Sequence, residues 1–118
     1  MAPVTGRLLF VSDDVFFWAR VQAAAKAAGR DARRVGDDAA MEAALAEGGV
    51  SRVLFDLGVR AVDPAVWAAR WKATSPAPEL VAFGAHVDEA ALSAARTAGF
   101  DRVMPNSRFQ RELLDLVR

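Results

Sequence analysis

The chain has 118 residues, 53% of them hydrophobic and 25% charged, which suits one domain with a single core and leaves too little material for two. Fifteen basic and fifteen acidic residues balance to zero, so the overall charge supplies no drive toward nucleic acid or an anionic membrane surface. Cysteine is absent, no apolar run nears the ~20 residues of a bilayer-spanning helix, and the start "MAPVTGR" lacks the basic and apolar stretches of a secretory signal. The expectation is one soluble, cytoplasmic domain over residues 1–118 with no output domain attached.

Residues 7–11, "RLLFV", read as a buried strand, followed by Ser12, Asp13 and Asp14. An alanine-rich helix from about Val15 to Ala28 comes next, with acids at its positive end and a glycine at its close. Its first turn, "VFFW", is apolar all round and is expected to be buried; the alternative is that Phe16, Phe17 or Trp18 faces a partner or solvent. The more polar run 31–36, "DARRVG", suits an edge strand, and Asp37 or Asp38 can cap the helix "AAMEAALAEGG". The segment 51–58, "SRVLFDLG", is a continuous apolar run that reads as a strand covered on both faces and ends on Asp56. Asp63 and Pro64 then open a helix reaching about Thr74, with Trp67 and Trp71 four apart on one buried face. "LVAF", residues 80–83, is a fourth buried strand with Gly84, Ala85 and His86 at its exit. "DEAALSAARTAG" is a helix ending at Gly99, "DRVM" (101–104) the last strand, and "PNS" the last loop. "RFQRELLDLVR" is the closing helix, with Leu113, Leu114 and Val117 as its buried stripe.

This alternation of five strands with five helices predicts an α/β fold: a doubly wound, five-stranded parallel sheet between two helix layers, joined by right-handed crossovers. Such a sheet delivers its strand exits to one edge, where ligands bind. An Asp at one such junction is by itself a common turn former or cap. Here, however, Asp13 and Asp14 are expected at the same edge as Asp56. Clustered acids repel one another unless a cation joins them, and an all-oxygen set without His or Cys suits a hard ion such as Mg²⁺. The residues therefore point to metal-assisted phosphoryl chemistry. His86, alone in its loop, reads as a polar loop residue.

In element order, length and position of the acids, essentially the whole chain resembles the receiver domain of two-component response regulators, the CheY-like fold with strand order 2-1-3-4-5. The resemblance implies that Asp56 is the acceptor of a phosphoryl group from a histidine kinase, and that an acidic pair after the first strand binds Mg²⁺. An ungapped count from "LLFV" to Gly29 puts Ser12 and Asp13 at those two positions, whereas a one-residue slip puts Asp13 and Asp14 there. The backbone carbonyl of Gly58 would be the third metal contact. Three positions depart from the family. Gly84 stands where receivers carry the Ser or Thr that binds the phosphoryl group, Asn106 where they carry a Lys, and Val103 where the last strand holds an aromatic. Without the Lys, three carboxylates and Mg²⁺ leave a formal charge of −1. Loss of a charge-assisted contact of about 1.5–3 kcal/mol weakens phosphoryl binding or transfer by roughly tenfold to a hundredfold. Arg108 is a candidate substitute, although an arginine at a helix start is usually solvated.

The resemblance thus implies an atypical, degenerate receiver (a pseudo-receiver) that signals by docking another protein, a histidine kinase or an output protein, or a second copy through the face of the fourth helix, last strand and fifth helix. Phosphorylation at Asp56 and Mg²⁺ binding are expected to be weak or absent. The alternative is a conventional phosphorylatable single-domain regulator. A metal-dependent phosphatase or phosphotransferase of the haloacid-dehalogenase type is opposed by Leu57 and Gly58 where a DxD pattern is needed, and by the lack of a cap. A nucleotide- or flavin-binding module is opposed by the acidic, glycine-free "VSDDVF".

Overall fold

The computed structural model describes residues 6–118; the stretch "MAPVT", part of the start in which no secretory signal was expected, lies outside them. The elements run β1 (Arg7–Val11), α1 (Val15–Ala27), β2 (Ala32–Val35), α2 (Asp38–Glu47), β3 (Val50–Asp56), α3 (Pro64–Lys72), β4 (Glu79–Gly84), α4 (Glu89–Ala98), β5 (Arg102–Pro105), α5 (Asn106–Arg111) and α6 (Leu113–Leu116). The strands form one sheet in the order β2-β1-β3-β4-β5, every pair parallel, as the alternation predicted.

The apolar runs are continuous because the sheet is covered on both sides. Leu9, Val11, Val53, Phe55, Leu80 and Ala82 face α2, α3 and α4, where Met41, Trp67 and Trp71 are buried. Leu8, Phe10, Leu54, Val81 and Phe83 face α1 and the closing helices, against Val21, Ala25, Phe109, Leu116 and Val117. Asp14, Asp37, Asp63 and Asp88 cap α1, α2, α3 and α4, each accepting from a backbone N–H in the first turn.

Expectations about the first and the closing helix fail. The first turn of α1 is not buried all round: Phe16 is 84% exposed and Val15 57%. The Asp14 cap fixes the phase of the helix so that Phe17, Val21 and Ala25 turn inward at four-residue spacing, and Phe16 falls on the outer face. At the other end, "PNS" is not a loop. Pro105 ends β5 and stands directly before α5, which starts at Asn106. The closing segment then breaks at Glu112 into two short helices. Its buried stripe is Phe109, Leu116 and Val117, with Leu113 partly buried and Leu114 61% exposed. The seven- and eight-residue spacings from Phe109 set this stripe. Phe109 is the anchor because its ring stacks on Phe83 at 3.8 Å between centroids.

Candidate functional site

Asp56 ends β3 at the carboxyl edge, directly beside the exit of β1. Both of its oxygens are engaged. Oδ2 accepts the Ser12 hydroxyl at 2.7 Å, and Oδ1 accepts the Gly58 backbone N–H at 2.8 Å. Ser12 is the one fully buried polar residue among the described residues, and its Oγ in turn accepts the Asp14 N–H at 3.0 Å. One hydroxyl therefore ties the β1 exit to the Asp56 carboxylate, its proton directed toward that oxygen. Gly58 allows a close approach here, since a Cβ there would lie 3.1 Å from Asp56 Oδ1.

The two other acids are arranged differently. Asp14 turns its carboxylate to its own helix, where Oδ1 accepts the Phe16 and Phe17 N–H groups at 3.0 and 2.9 Å. Asp13 is exposed and accepts no hydrogen bond among the described residues. At this edge Ser12 is hydrogen-bonded to Asp56, Asp14 caps α1, and Asp13 is left exposed. Among the described residues, no three His, Cys, Asp or Glu side chains form a group that could hold a metal ion.

The departures at Gly84 and Asn106 have a structural setting. Gly84 is buried, and a Cβ there would lie 3.3 Å from Leu57 Cβ and 3.4 Å from Leu57 Cδ1. Leu57, held by its N–H on the Phe83 carbonyl at 2.9 Å, thus crowds the space a side chain at 84 would need. Asn106 begins α5 and gives it no side-chain cap. Arg108 does not reach inward; its Nε binds Glu112 Oε2 at 2.7 Å, four residues on. Val103 is partly buried against the core on the α3–α4 side, and His86 is exposed.

Two features of this edge escaped the sequence reading. The first is the Ser12 donor, whose signal was a small hydroxyl continuing an apolar strand. The second is Arg34 of β2, whose guanidinium donates to the Ser12 carbonyl at 3.0 Å. Pairing of Arg34 with Phe10 places this cation level with the last turn of β1. Only the register of the edge strand, which one sequence does not reveal, could have found it.

Comparison with solved structures gives receiver-domain folds. An orphan response regulator of H. pylori matches with a TM-score of 0.76 at 12% identity, over 98% of this chain and 93% of the other. A response-regulator signal receiver domain from Bermanella marisrubri matches with a TM-score of 0.77 at 19% identity, over 95% and 98%. The receiver domain of a sensor histidine kinase from Pseudomonas aeruginosa, solved with a magnesium ion coordinated in its active-site cleft, matches with a TM-score of 0.74 at 15% identity, over 95% and 97%. At these identities the likeness shows the CheY-like fold. No protein-family model matches the chain, and neither does any curated protein.

Proposed function

We propose that this chain is a receiver-like signalling module that acts by docking another protein, and that its acceptor site is incomplete, so that phosphorylation at Asp56 is weak or absent. The observation that carries the reading is the Ser12–Asp56 hydrogen bond of 2.7 Å. In phosphoryl transfer the protein contributes positioning and charge stabilisation rather than covalent chemistry of its own. An Asp56 oxygen would attack phosphorus as the bond to the donor's nitrogen or oxygen breaks, and the departing group would keep that electron pair and take up a proton. For this the oxygen needs an available lone pair, and the phosphoryl oxygens need a metal, a cation and a hydroxyl. Here each Asp56 oxygen keeps a lone pair, but the hydrogen bonds from Ser12 and Gly58 draw off carboxylate charge and weaken the nucleophile; a side chain at position 84 would crowd Leu57, and Asn106 stands for the cation.

Asp13, Asp56 and the Gly58 carbonyl are the groups that would meet Mg²⁺. Two carboxylates and a neutral serine make a weaker hard-cation site than three carboxylates would. The partner surface is then preset by the fold instead of being switched at Asp56. A histidine kinase, an output protein or a second copy on the α4–β5–α5 face remains the expected class of partner. The activity proposed is that of a docking module, not an enzyme with turnover.

The test is intact mass after incubation with Mg²⁺ and a small acyl-phosphate donor, for the parent protein and for Asp56→Asn. No stable adduct on either protein is expected. A stable phosphoryl adduct on the parent alone would replace this reading with that of a conventional phosphorylatable regulator.

A further inference from the structure

At the amino edge of the sheet, the ends of α2 and α3 and the starts of β3 and β4 enclose a pocket of about 200 Å³. It lies about 20 Å from Asp56, the length of β3 at ~3.3 Å per residue. The local sequence leaves this space open. α2 stops at two glycines without side chains, and Pro76 and Pro78 lack the N–H groups with which the chain ahead of β4 could pair with β3. Leu45, Val50, Pro76 and Pro78 supply apolar walls, Trp71 forms the inner one, and no charged side chain lines the pocket. At Gly48 and Gly49 a Cβ would meet nothing within 4 Å, so the mouth is unobstructed on that side.

Trp67 and Trp71 lie one turn apart on α3, their ring centroids 6.5 Å from each other, yet their indole N–H groups differ. Trp67 Nε1 donates to Asp38 Oδ1 at 2.8 Å. Trp71 is 2% exposed, and its Nε1 is buried without a hydrogen-bond partner among the described residues. A buried indole N–H in that condition costs folding free energy, and buried tryptophans usually find an acceptor. The pocket adjoins this indole and is the space from which an acceptor can reach it. Its other polar groups do not fill that role: Thr74 Oγ1 donates to the Trp71 carbonyl at 2.6 Å, and Ser75 is exposed.

We propose that this pocket binds a small neutral ring compound bearing one hydrogen-bond acceptor, a cyclic ketone or a lactam, whose oxygen accepts the Trp71 indole N–H. The volume sets the size. An engineered cavity of ~150 Å³ holds a benzene ring and pockets for drug-sized ligands begin near ~300 Å³, so this one takes a single substituted ring. The walls set the charge, since an ion would lose its hydration and gain no counter-charge from a lining without charged side chains. The site shares no residue with the acceptor edge and does not depend on the reading of the chain as a docking module.

The test is an NMR titration of the full chain labelled with nitrogen-15, using acetophenone and its hydrocarbon isostere α-methylstyrene. Trp18, Trp67 and Trp71 give the three indole N–H signals, and single Trp→Phe variants assign them. Acetophenone should move the Trp71 signal downfield and saturably, with Kd on the order of 1 mM, and leave the Trp18 signal in place. The isostere should bind without the downfield shift. Trp71→Phe closes a cycle, because it removes the donor for one ligand and changes the shape of the pocket equally for both. Followed at the backbone N–H signals of Gly48 to Val50, the ratio of the two Kd values should move about tenfold toward the hydrocarbon in that variant. The parent titration alone decides the matter if Trp71→Phe does not fold, since the other two variants still assign Trp71 by elimination. No saturable shift at Trp71, equal shifts at all three indoles, the same downfield shift with both ligands, or an unchanged ratio in Trp71→Phe overturns the proposal.

Discussion

Ser12 decides what kind of site this edge can be. A buried hydroxyl costs folding free energy unless it is fully hydrogen-bonded, and Ser12 is satisfied in both directions, donating to Asp56 and accepting from the Asp14 N–H. It does for Asp56 in the resting molecule part of what a cation would otherwise do. Ser12→Asp should therefore separate two effects. Without Mg²⁺ it removes a charge-assisted hydrogen bond and sets two carboxylates against each other, at a cost of about 2 kcal/mol in urea unfolding. With Mg²⁺ it completes a third carboxylate ligand, so affinity by calorimetry should rise about tenfold or more and the lost stability should return. Unchanged Mg²⁺ affinity in the variant would place the ion elsewhere. The sequence reading had Asp56 and its neighbours at the correct edge but counted Ser12 only as an alignment ambiguity. A hydroxyl's role depends on what lies 2.7 Å away across the sheet, and that partner comes from 44 residues further along the chain.

At the scale of elements, the α/β alternation and the Asp caps of α2 (as Asp37 or Asp38) and α3 were legible, because each rests on local chemistry: apolar runs, acids before helices, glycines after them; the caps at Asp14 and Asp88 were not singled out. The misreadings share a different cause. Whether Phe16 faces in or out depends on helix phase, and helix phase is set by a cap and by what the opposite layer accepts. Likewise the closing stripe follows from Phe109 meeting Phe83, a contact across layers that the 11-residue segment does not announce. The same distinction assigns Asp14. If it is the α1 cap and not a metal ligand, Asp14→Ala should cost about 1 kcal/mol of stability while leaving Mg²⁺ affinity within twofold of the parent. Asp13→Ala should show the reverse pattern, little loss of stability and weaker Mg²⁺ binding. Thermal unfolding beside an Mg²⁺ titration measures both, and a large loss of affinity in Asp14→Ala would return Asp14 to the metal site.

The molecule as a whole separates its two sheet edges by role. The carboxyl edge holds the candidate site, and the amino edge is tied together by arginines. Glu79, at the start of β4, accepts from Arg52 of β3 at 2.7 Å and from Arg102 of β5 at 3.1 Å, and Arg52 also donates to the Leu116 carbonyl at 2.6 Å. Three strands thus meet on one carboxylate, and Arg52 carries the tie on to α6. Partial burial pushes the Glu79 carboxyl up, but the hydrogen bonds from Arg102 and Arg52 outweigh it, so it lies below its ordinary value. A carboxylate whose pKa is depressed on folding contributes stability that is present above its unfolded pKa and is lost as pH falls through the folded value. Glu79→Gln should therefore be less stable than the parent at pH 7 by about 1 kcal/mol, a figure already reduced for screening of a side chain that is 34% exposed. The difference should shrink as pH falls below the usual carboxylate range, because the parent then protonates Glu79 and loses what the variant never had. Urea unfolding of both proteins between pH 7 and pH 3 measures this, and a gap that stayed constant with pH would show that Glu79 acts through packing and not through its charge.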